Sequence, residues 1–390
     1  MNMRTQTTLP GNDSAEGEVL YMAIEMAEKG WKLLLSSGEV KANGQLRVYQ
    51  TSVGGNDYAG VREAVEKARE RLKLSAGAVV ISCYEAGQDG FWPHRRLEEM
   101  GIVNRVVDSA SIEVNRRHRR AKTDKLDVRK LLEMLVRSER GEQGVWRVVR
   151  VPSVEEEDRR RPHRELERIK KEEKQHRTRI RSLLKLHGVR PEMNPGGRGW
   201  QAYLVQLEPV LPPGAWSEIM RESERLVLIK SQRRELEAEQ QERLAQGSDE
   251  DALLQQILAL SLLKGIGRGS AWQLVMEFFG WRQFKNRRQV AGCAGLDPTP
   301  YDSGESRREQ GISKAGNKRI RWLMVELAWS WLRYQPDSAL SQWFEERFGG
   351  GGKRQRRIGI VALARRLLVA LWRYVDHGVL PEGAELKAAA

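Results

Sequence analysis

Cysteine is nearly absent from this 390-residue sequence: there are two, Cys83 and Cys293, far apart and each in an apolar setting. No CxxC pair and no Cys/His cluster occurs. That excludes a disulfide framework and a structural zinc site, and both thiols are expected to be buried in a cytosolic protein. Histidine is scarce too, with six scattered residues. No apolar run approaches the roughly 20 residues that span a bilayer. The opening MNMRTQTTLPGNDSAEGE lacks the apolar centre of a secretory signal. Negative charge is in deficit, 53 Asp and Glu against 67 Lys and Arg, for a net charge of +14. That balance points to a polyanionic partner, nucleic acid before an anionic membrane surface. There is no repeat of fixed period.

What is present divides by texture. Residues 1–18 are polar and expected to be a disordered tail. VLYMAIEM, from Val19, is nearly continuous in apolar residues, as a central strand buried on both faces should be. WKLLLSS and QLRVYQTSV follow as strands. YAGVREAVEKARERLKL has helical period, with Val61, Ala64, Val65, Ala68 and Leu72 on one face. AVVISCYE, a short helix in FWPHRRLEEMG, the strand IVNRVVD and the helix KLDVRKLLEMLVRSE complete an α/β layer domain over 19–148. Residues 149–250 carry two long, highly charged helical stretches around the break RPEMNPGGRGW, expected to form an antiparallel coiled pair that serves as spacer or dimerisation arm. Residues 251–382 read as a mostly helical domain, its tryptophans as core. A short tail, 383–390, ends the chain.

The stretch RRAKTDKLDVRK sets Asp124 and Asp127 three apart, on one helix face, inside dense positive charge. A solvated helix laced with ion pairs would explain it. So would a metal site on a surface that holds a polyanion. Glu25 at the end of the first strand and Glu85 at the end of the fourth favour the second reading, because in a sheet of this order those strands are neighbours. Four converging carboxylates need cations between them. Hard oxygen donors without Cys or His select Mg²⁺ or Mn²⁺, and two such ions clamp the attacking and leaving oxygens of a phosphodiester. Arg116, Arg117, Arg119, Arg120, Lys122 and Lys125 would then contact phosphates.

Two later segments carry further signals. Gly265-Ile266-Gly267 between apolar helical stretches suits a helix-hairpin-helix turn whose backbone amides meet a phosphate, or simple tight helix packing. PYDSGESRREQGISKAGNKRIR is expected as a loop holding Ser303, Ser306 and Ser313 beside Lys314, Lys318, Arg319 and Arg321. A serine there could attack phosphorus with guanidinium support. The alternative is a polar loop that only touches DNA. No histidine stands beside it, so a Ser-His-Asp arrangement is not supported.

AIEMAEKGW (23–31), YEAGQDGFWPHRRLEEMGI (84–102), RRAKTDKLDVRKL (119–131), LLKGIGRGSAWQL (262–274), FKNRRQVAGCAGLDPTPYDSG (284–304) and GISKAGNKRIRWLMVELAW (311–329) occur in that order. Together they resemble the DEDD transposases of bacterial insertion sequences, of the IS one-ten type, related to the Piv invertases and understood as bridge-RNA-guided serine recombinases. The resemblance covers nearly all of the chain after its tail. It implies an RNase H-like (RuvC-like) N-terminal domain, a coiled-coil insertion and a mostly α-helical C-terminal transposase domain with a helix-hairpin-helix-like segment. It maps the metal-binding acid tetrad onto Glu25, Glu85, Asp124 and Asp127, and the nucleophile onto Ser303, with Ser306 and Ser313 as alternatives. It implies Mg²⁺ or Mn²⁺ as cofactor. The implied partners are DNA (element ends and target), a structured guide RNA and further copies of the chain in a dimer or tetramer. The setting implied is the bacterial cytoplasm at the nucleoid. One departure stands out: the family has aspartate at the first acidic position and this chain has Glu25. Two rival expectations follow, a RuvC-like nuclease in which metal-activated water attacks and Ser303 is structural, and a catalytically decayed nucleic-acid-binding relative.

Overall fold

The computed structural model describes the backbone of residues 18–112, 124–246, 251–303 and 306–388, and side chains there except at 110, 124–127 and 300–310. The chain falls into two compact units, Met1–Pro152 and Ser153–Ala390.

The first unit contains β1 (Val19–Ala27), β2 (Gly30–Ser36), β3 (Tyr49–Gly54), α1 (Tyr58–Leu72), β4 (Val79–Glu85), α2 (Trp92–Glu99), β5 (Val103–Val107) and α3 (Asp124–Glu139). This is the predicted succession, with β3 shorter than its sequence pattern suggested. The sheet order is β3-β2-β1-β4-β5. β1 pairs antiparallel with β2 and parallel with β4, so the first and fourth strands are central neighbours as expected. Side chains alternate across the sheet. Leu20, Met22 and Ile24 of β1 pack with Val61, Ala64, Val65 and Ala68 of α1. Tyr21 and Ala23 pack the other way, with Val128, Leu131, Leu132 and Leu135 of α3. β1 therefore has no polar face over its buried length, which is why its sequence reads as an unbroken apolar run. Asp57 starts α1 by accepting from the Gly60 amide at 2.8 Å. The result is a mixed α/β layer domain compatible with the RNase H-like expectation. Cys83 is fully buried and burial pushes its thiol up, while Cys293 is partly buried; both are free thiols.

The second unit opens with α4 (Val154–Asp158), α5 (Arg161–Leu186), α6 (Trp200–Leu207) and α7 (Pro213–Gln246). α5 and α7 lie antiparallel. Lys170 pairs with Glu237 at 3.1 Å, Glu173 with Arg233 at 2.7 Å, His176 with Glu222 at 2.5 Å and Arg179 with Glu218 at 2.6 Å. The thin apolar stripe of α5, Ile180, Leu183 and Leu184, meets Ile219 and Leu226 of α7. α6 begins within the Gly/Pro break and buries Trp200 in the same cluster. After these come α8 (Ala252–Leu262), α9 (Arg268–Leu274), α10 (Arg287–Ala294), β6 (Pro298–Ser303), β7 (Ser306–Ile312), α11 (Lys318–Tyr334), α12 (Ala339–Phe344) and α13 (Lys353–His377). One core holds these helices together and takes in Trp272, Trp331 and Trp372, as predicted. Trp322 and Trp329 depart from that expectation, being 63% and 44% exposed on α11. Among the described residues, no helix is long and apolar enough to cross a membrane.

Candidate active site

The parallel register of β1 and β4 runs to Ile24↔Tyr84. One residue further, Glu25 and Glu85 stand abreast on adjacent strands. The alternation that sends Tyr21, Ala23 and Cys83 towards α3 places Glu25 and Glu85 on that same face. Lys32 of β2 is the register partner of Glu25. Glu25 is half-buried and Glu85 exposed, as expected where a sheet edge opens to solvent.

α3 runs against β1 and β4. Past its C-terminus, Arg140 donates to the Gly38 carbonyl at 2.6 Å, beyond the end of β2 and hence beside the start of β1. Midway, the Leu131 carbonyl lies 3.8 Å from Cys83 Sγ. From Leu131 back to Asp127 is four residues, about 6 Å along a helix, and from Cys83 to Glu85 is two, about 6.6 Å along a strand. Asp127 is thus level with Glu85. Positions 127 and 124, four and seven before Leu131, share its helical face. The backbone therefore brings all four predicted acids to one end of one sheet face, with α3 starting there. The donors, four carboxylates and no sulfur or imidazole, fit a hard divalent cation. Among residues with described side chains no group of three or more His, Cys, Asp and Glu could hold a metal ion; positions 124 and 127 stand outside that set. Arg116, Arg117, Arg119, Arg120 and Lys122 lie outside the described residues.

Ser303 belongs to the second unit. The segment expected as a loop is a two-stranded antiparallel ribbon, with Pro298 opposite Ile312, Tyr301 opposite Arg308 and Ser303 opposite Ser306 at its tip. Its strands carry polar residues on consecutive positions, so no alternation marked them as strands. The base of the ribbon is locked by backbone. Ser313 N donates to Asp297 O at 2.8 Å and Asn317 N to Cys293 O at 2.7 Å. Gly316, at φ +100°, lies so close that a Cβ would meet Cys293 O at 2.4 Å; only glycine fits this approach. Asn317 then caps α11 by accepting from the Arg319 and Ile320 amides. Arg321 donates to the carbonyls of Ala294 and Lys314, at 3.2 and 2.9 Å, and Arg319 pairs with Glu167 at 2.8 Å, so both are engaged within the protein. Lys314 and Lys318 are exposed. Gly265, at φ +84°, sits against α11, where Ser330 Oγ donates to its carbonyl at 2.7 Å. That contact gives the glycine turn a packing role, while Gly267 precedes α9 as its cap.

A buried charge cluster in the second unit left little trace in the sequence. Glu277, 2% exposed in a π-helical turn (Val275–Phe279), accepts from Arg164 at 2.5 and 2.8 Å and lies 3.0 Å from His163 Nε2. Burial opposes its charge, but the Arg164 and His163 hydrogen bonds and their positive fields outweigh it and hold the carboxyl well below the usual range. Glu277→Ala takes the hydrogen-bond partner from buried His163 and half-exposed Arg164 and is expected to destabilise the second unit by about 1–3 kcal/mol, read by thermal or urea unfolding. Because the folded pKa is depressed, this contribution is complete above the ordinary carboxylate range and fades as pH falls towards the folded value. The wild-type unfolding midpoint should therefore drop in acid more steeply than that of Glu277→Ala.

Known proteins resemble this chain over much of its length. Residues 258–342, from within α8 into α12 and across the serine ribbon, match the model described as Transposase IS116/IS110/IS902 family. The putative transposase y4rJ of Sinorhizobium fredii is 41% identical over 382 residues, 94% of each chain. The putative transposase y4qE of the same organism is 27% identical over 84% of this chain and 75% of its own length. A probable family 20 transposase of Pseudomonas aeruginosa is 28% identical over 45% of this chain and 49% of its own length. With such identity held across almost the whole of a transposase, this chain belongs to the IS116/IS110/IS902 family of DNA transposases.

Proposed function

We propose that this transposase mobilises its element as a serine recombinase: Ser303 attacks a DNA phosphodiester, Glu25, Glu85, Asp124 and Asp127 hold Mg²⁺ or Mn²⁺ beside the scissile phosphate, and a structured guide RNA specifies the element ends and the target. The observation that carries this reading is the placement of Glu25 and Glu85 abreast at the end of β1 and β4, with α3 opening on the same face. Carboxylates crowded there repel one another, which favours a role as donors to a shared cation. When bound, the cation would supply charge neutralisation at the phosphate oxygens. Ser303 pairs with Ser306 in a ribbon whose base is fixed by Gly316 and Asn317, and that fixed base supports its role as the attacking residue. As its oxygen gives up its proton and bonds to phosphorus, the P–O bond to the departing strand breaks and that strand's oxygen takes up a proton as a free hydroxyl end. The chain then holds one strand covalently, and the energy of the broken linkage is kept for rejoining. Assembly of the reaction centre in a dimer or tetramer belongs to the same proposal.

The test is strand exchange on a duplex carrying the element termini, with the guide RNA and Mg²⁺. Exchanged strands that disappear with a chelator support the reading. Free cut ends without joining favour a metal-dependent nuclease. Position 25 gives a separate expected result. Glutamate reaches further than aspartate by about one bond length, and errors near 1 Å cost on the order of 100-fold in rate. In a site adapted to glutamate, Glu25→Asp slows exchange by up to about that factor. A gain of that size would mark the natural chain as impaired.

A further inference from the structure

The face of the sheet opposite the acids carries an aromatic row at the same rim. Trp31, 2% exposed, follows the start of β2 and is the register partner of Met26, one residue beyond Glu25. Its ring meets Tyr58 at the start of α1 edge-to-face, centroids 5.3 Å apart. Tyr58 meets Trp92, the first residue of α2, at 6.3 Å and 87°. The Arg96 guanidinium lies 5.8 Å from the Tyr58 ring centre. The row runs from the core outwards and ends in an indole that is 53% exposed.

Three features make this end of the row more than a stray surface residue. The link from Glu85 to Trp92 is six residues and is fastened: Ala86 N donates to Val107 O at 2.8 Å, and the Tyr84 hydroxyl to Gly90 O at 3.0 Å. Trp92 therefore has a fixed relation to the acid rim. The Tyr58 hydroxyl oxygen is buried without a hydrogen-bond partner among the described residues, a costly arrangement. Burial also pushes that hydroxyl up to about 12, so it stays a neutral donor. Lastly, Arg96 of the same helix lies over Tyr58, so a guanidinium borders the row, and Trp92 is its one largely exposed ring. A protein partner needs contiguous apolar area. A nucleobase needs a single ring.

We infer that Trp92 is a stacking platform for an unpaired base of the DNA strand whose phosphate is presented to Glu25 and Glu85. The inference rests on the recombinase reading and adds a substrate contact on the far side of the sheet rim. A strand crossing that rim has its scissile phosphate on the α3 side and a flanking base on the α1–α2 side. Stacking on Trp92 would hold the strand unstacked and in register for cleavage.

Trp92→Ala and Trp92→Phe, in the full chain with guide RNA, are compared with wild type on element-end duplexes carrying one abasic nucleotide at successive positions around the cut. On intact DNA, Trp92→Ala should slow single-turnover cleavage roughly tenfold, the usual worth of one stacked base, and Trp92→Phe much less. At one position the abasic nucleotide should slow wild type by a similar factor and add nothing in Trp92→Ala. Equal rates for wild type and Trp92→Ala on intact DNA overturn the inference, as do losses that multiply at every abasic position. Thermal unfolding of both variants separates a folding defect from a lost contact, and coupling in Trp92→Phe serves if the alanine variant is unstable. Failure of wild type to cut any duplex overturns the recombinase reading and the platform with it, whereas normal cutting without coupling overturns the platform alone.

Discussion

Ser303→Ala will abolish the denaturant-stable protein–DNA species and lower strand exchange by about 10,000-fold or more, the loss typical when a nucleophile is removed. The substitution deletes one oxygen and leaves the backbone pairing of β6 and β7 in place. A fold defect is therefore a poor explanation for the loss, and circular dichroism and unfolding midpoints should match wild type. Ser313→Ala is the informative control. The structural role at that position is its backbone amide, bonded to Asp297 O, which alanine retains. Its exchange rate should stay within a few-fold of wild type, in line with small effects at exposed sites. If Ser303→Ala still forms the adduct while Ser306→Ala or Ser313→Ala does not, the nucleophile is one of those residues. If every single variant cuts DNA without an adduct, water is the attacking group and the nuclease alternative holds.

Glu85→Gln is expected to separate stability from activity. Glu85 and Glu25 stand on adjacent strands, roughly 5 Å apart at the backbone, and two like charges at that spacing repel. Removing one charge without changing shape relieves that repulsion, so the metal-free variant should unfold at the same temperature as wild type or higher. Cleavage in Mg²⁺ should nevertheless fall by about 1,000-fold, because the neutral amide is a weak donor to a hard cation. Raising Mn²⁺ should recover part of the rate, since Mn²⁺ binds such sites more tightly. A variant that is slow and also unstable would place Glu85 in the fold rather than in the chemistry. Asp127→Asn, one turn along α3 and level with Glu85, should behave alike.

The parts of this protein that were legible in its sequence share one physical property: their surroundings constrain them from two sides. β1 and β4 lie between α1 and α3 or their neighbours, so their sequences are continuous runs of apolar residues with an acid at the open end. Their order in the chain then made them sheet neighbours, and two acids far apart in sequence became candidates for one site. α1 showed its buried face, Val61 to Leu72, through the helical period alone. The serine ribbon was not legible. Its residues are polar on successive positions, so no alternation of side chains marked its backbone pairing. The surroundings of two guanidinium groups were likewise supplied only by the fold. Arg319 and Arg321 follow a glycine-rich segment and suggested phosphate contacts, yet one pairs with Glu167 and the other braces carbonyls of the ribbon base. Glu277 sits inside the apolar run VMEFF, and its partners His163 and Arg164 are more than a hundred residues upstream in a helix dense with charge. A single carboxylate within an apolar run was the available signal; its partners only the fold could supply.

Glu25, Glu85, Asp124 and Asp127 are expected to gather around one divalent ion. Electron paramagnetic resonance of Mn²⁺ titrated into the wild-type chain and into the four single Gln or Asn variants tests this without reference to activity. The expected result is saturable binding by wild type, weakened at least tenfold by each of the four substitutions, because each removes one carboxylate donor from the same ion. Binding by all four variants with wild-type affinity, or no saturable binding by any chain in the presence of DNA, would contradict it.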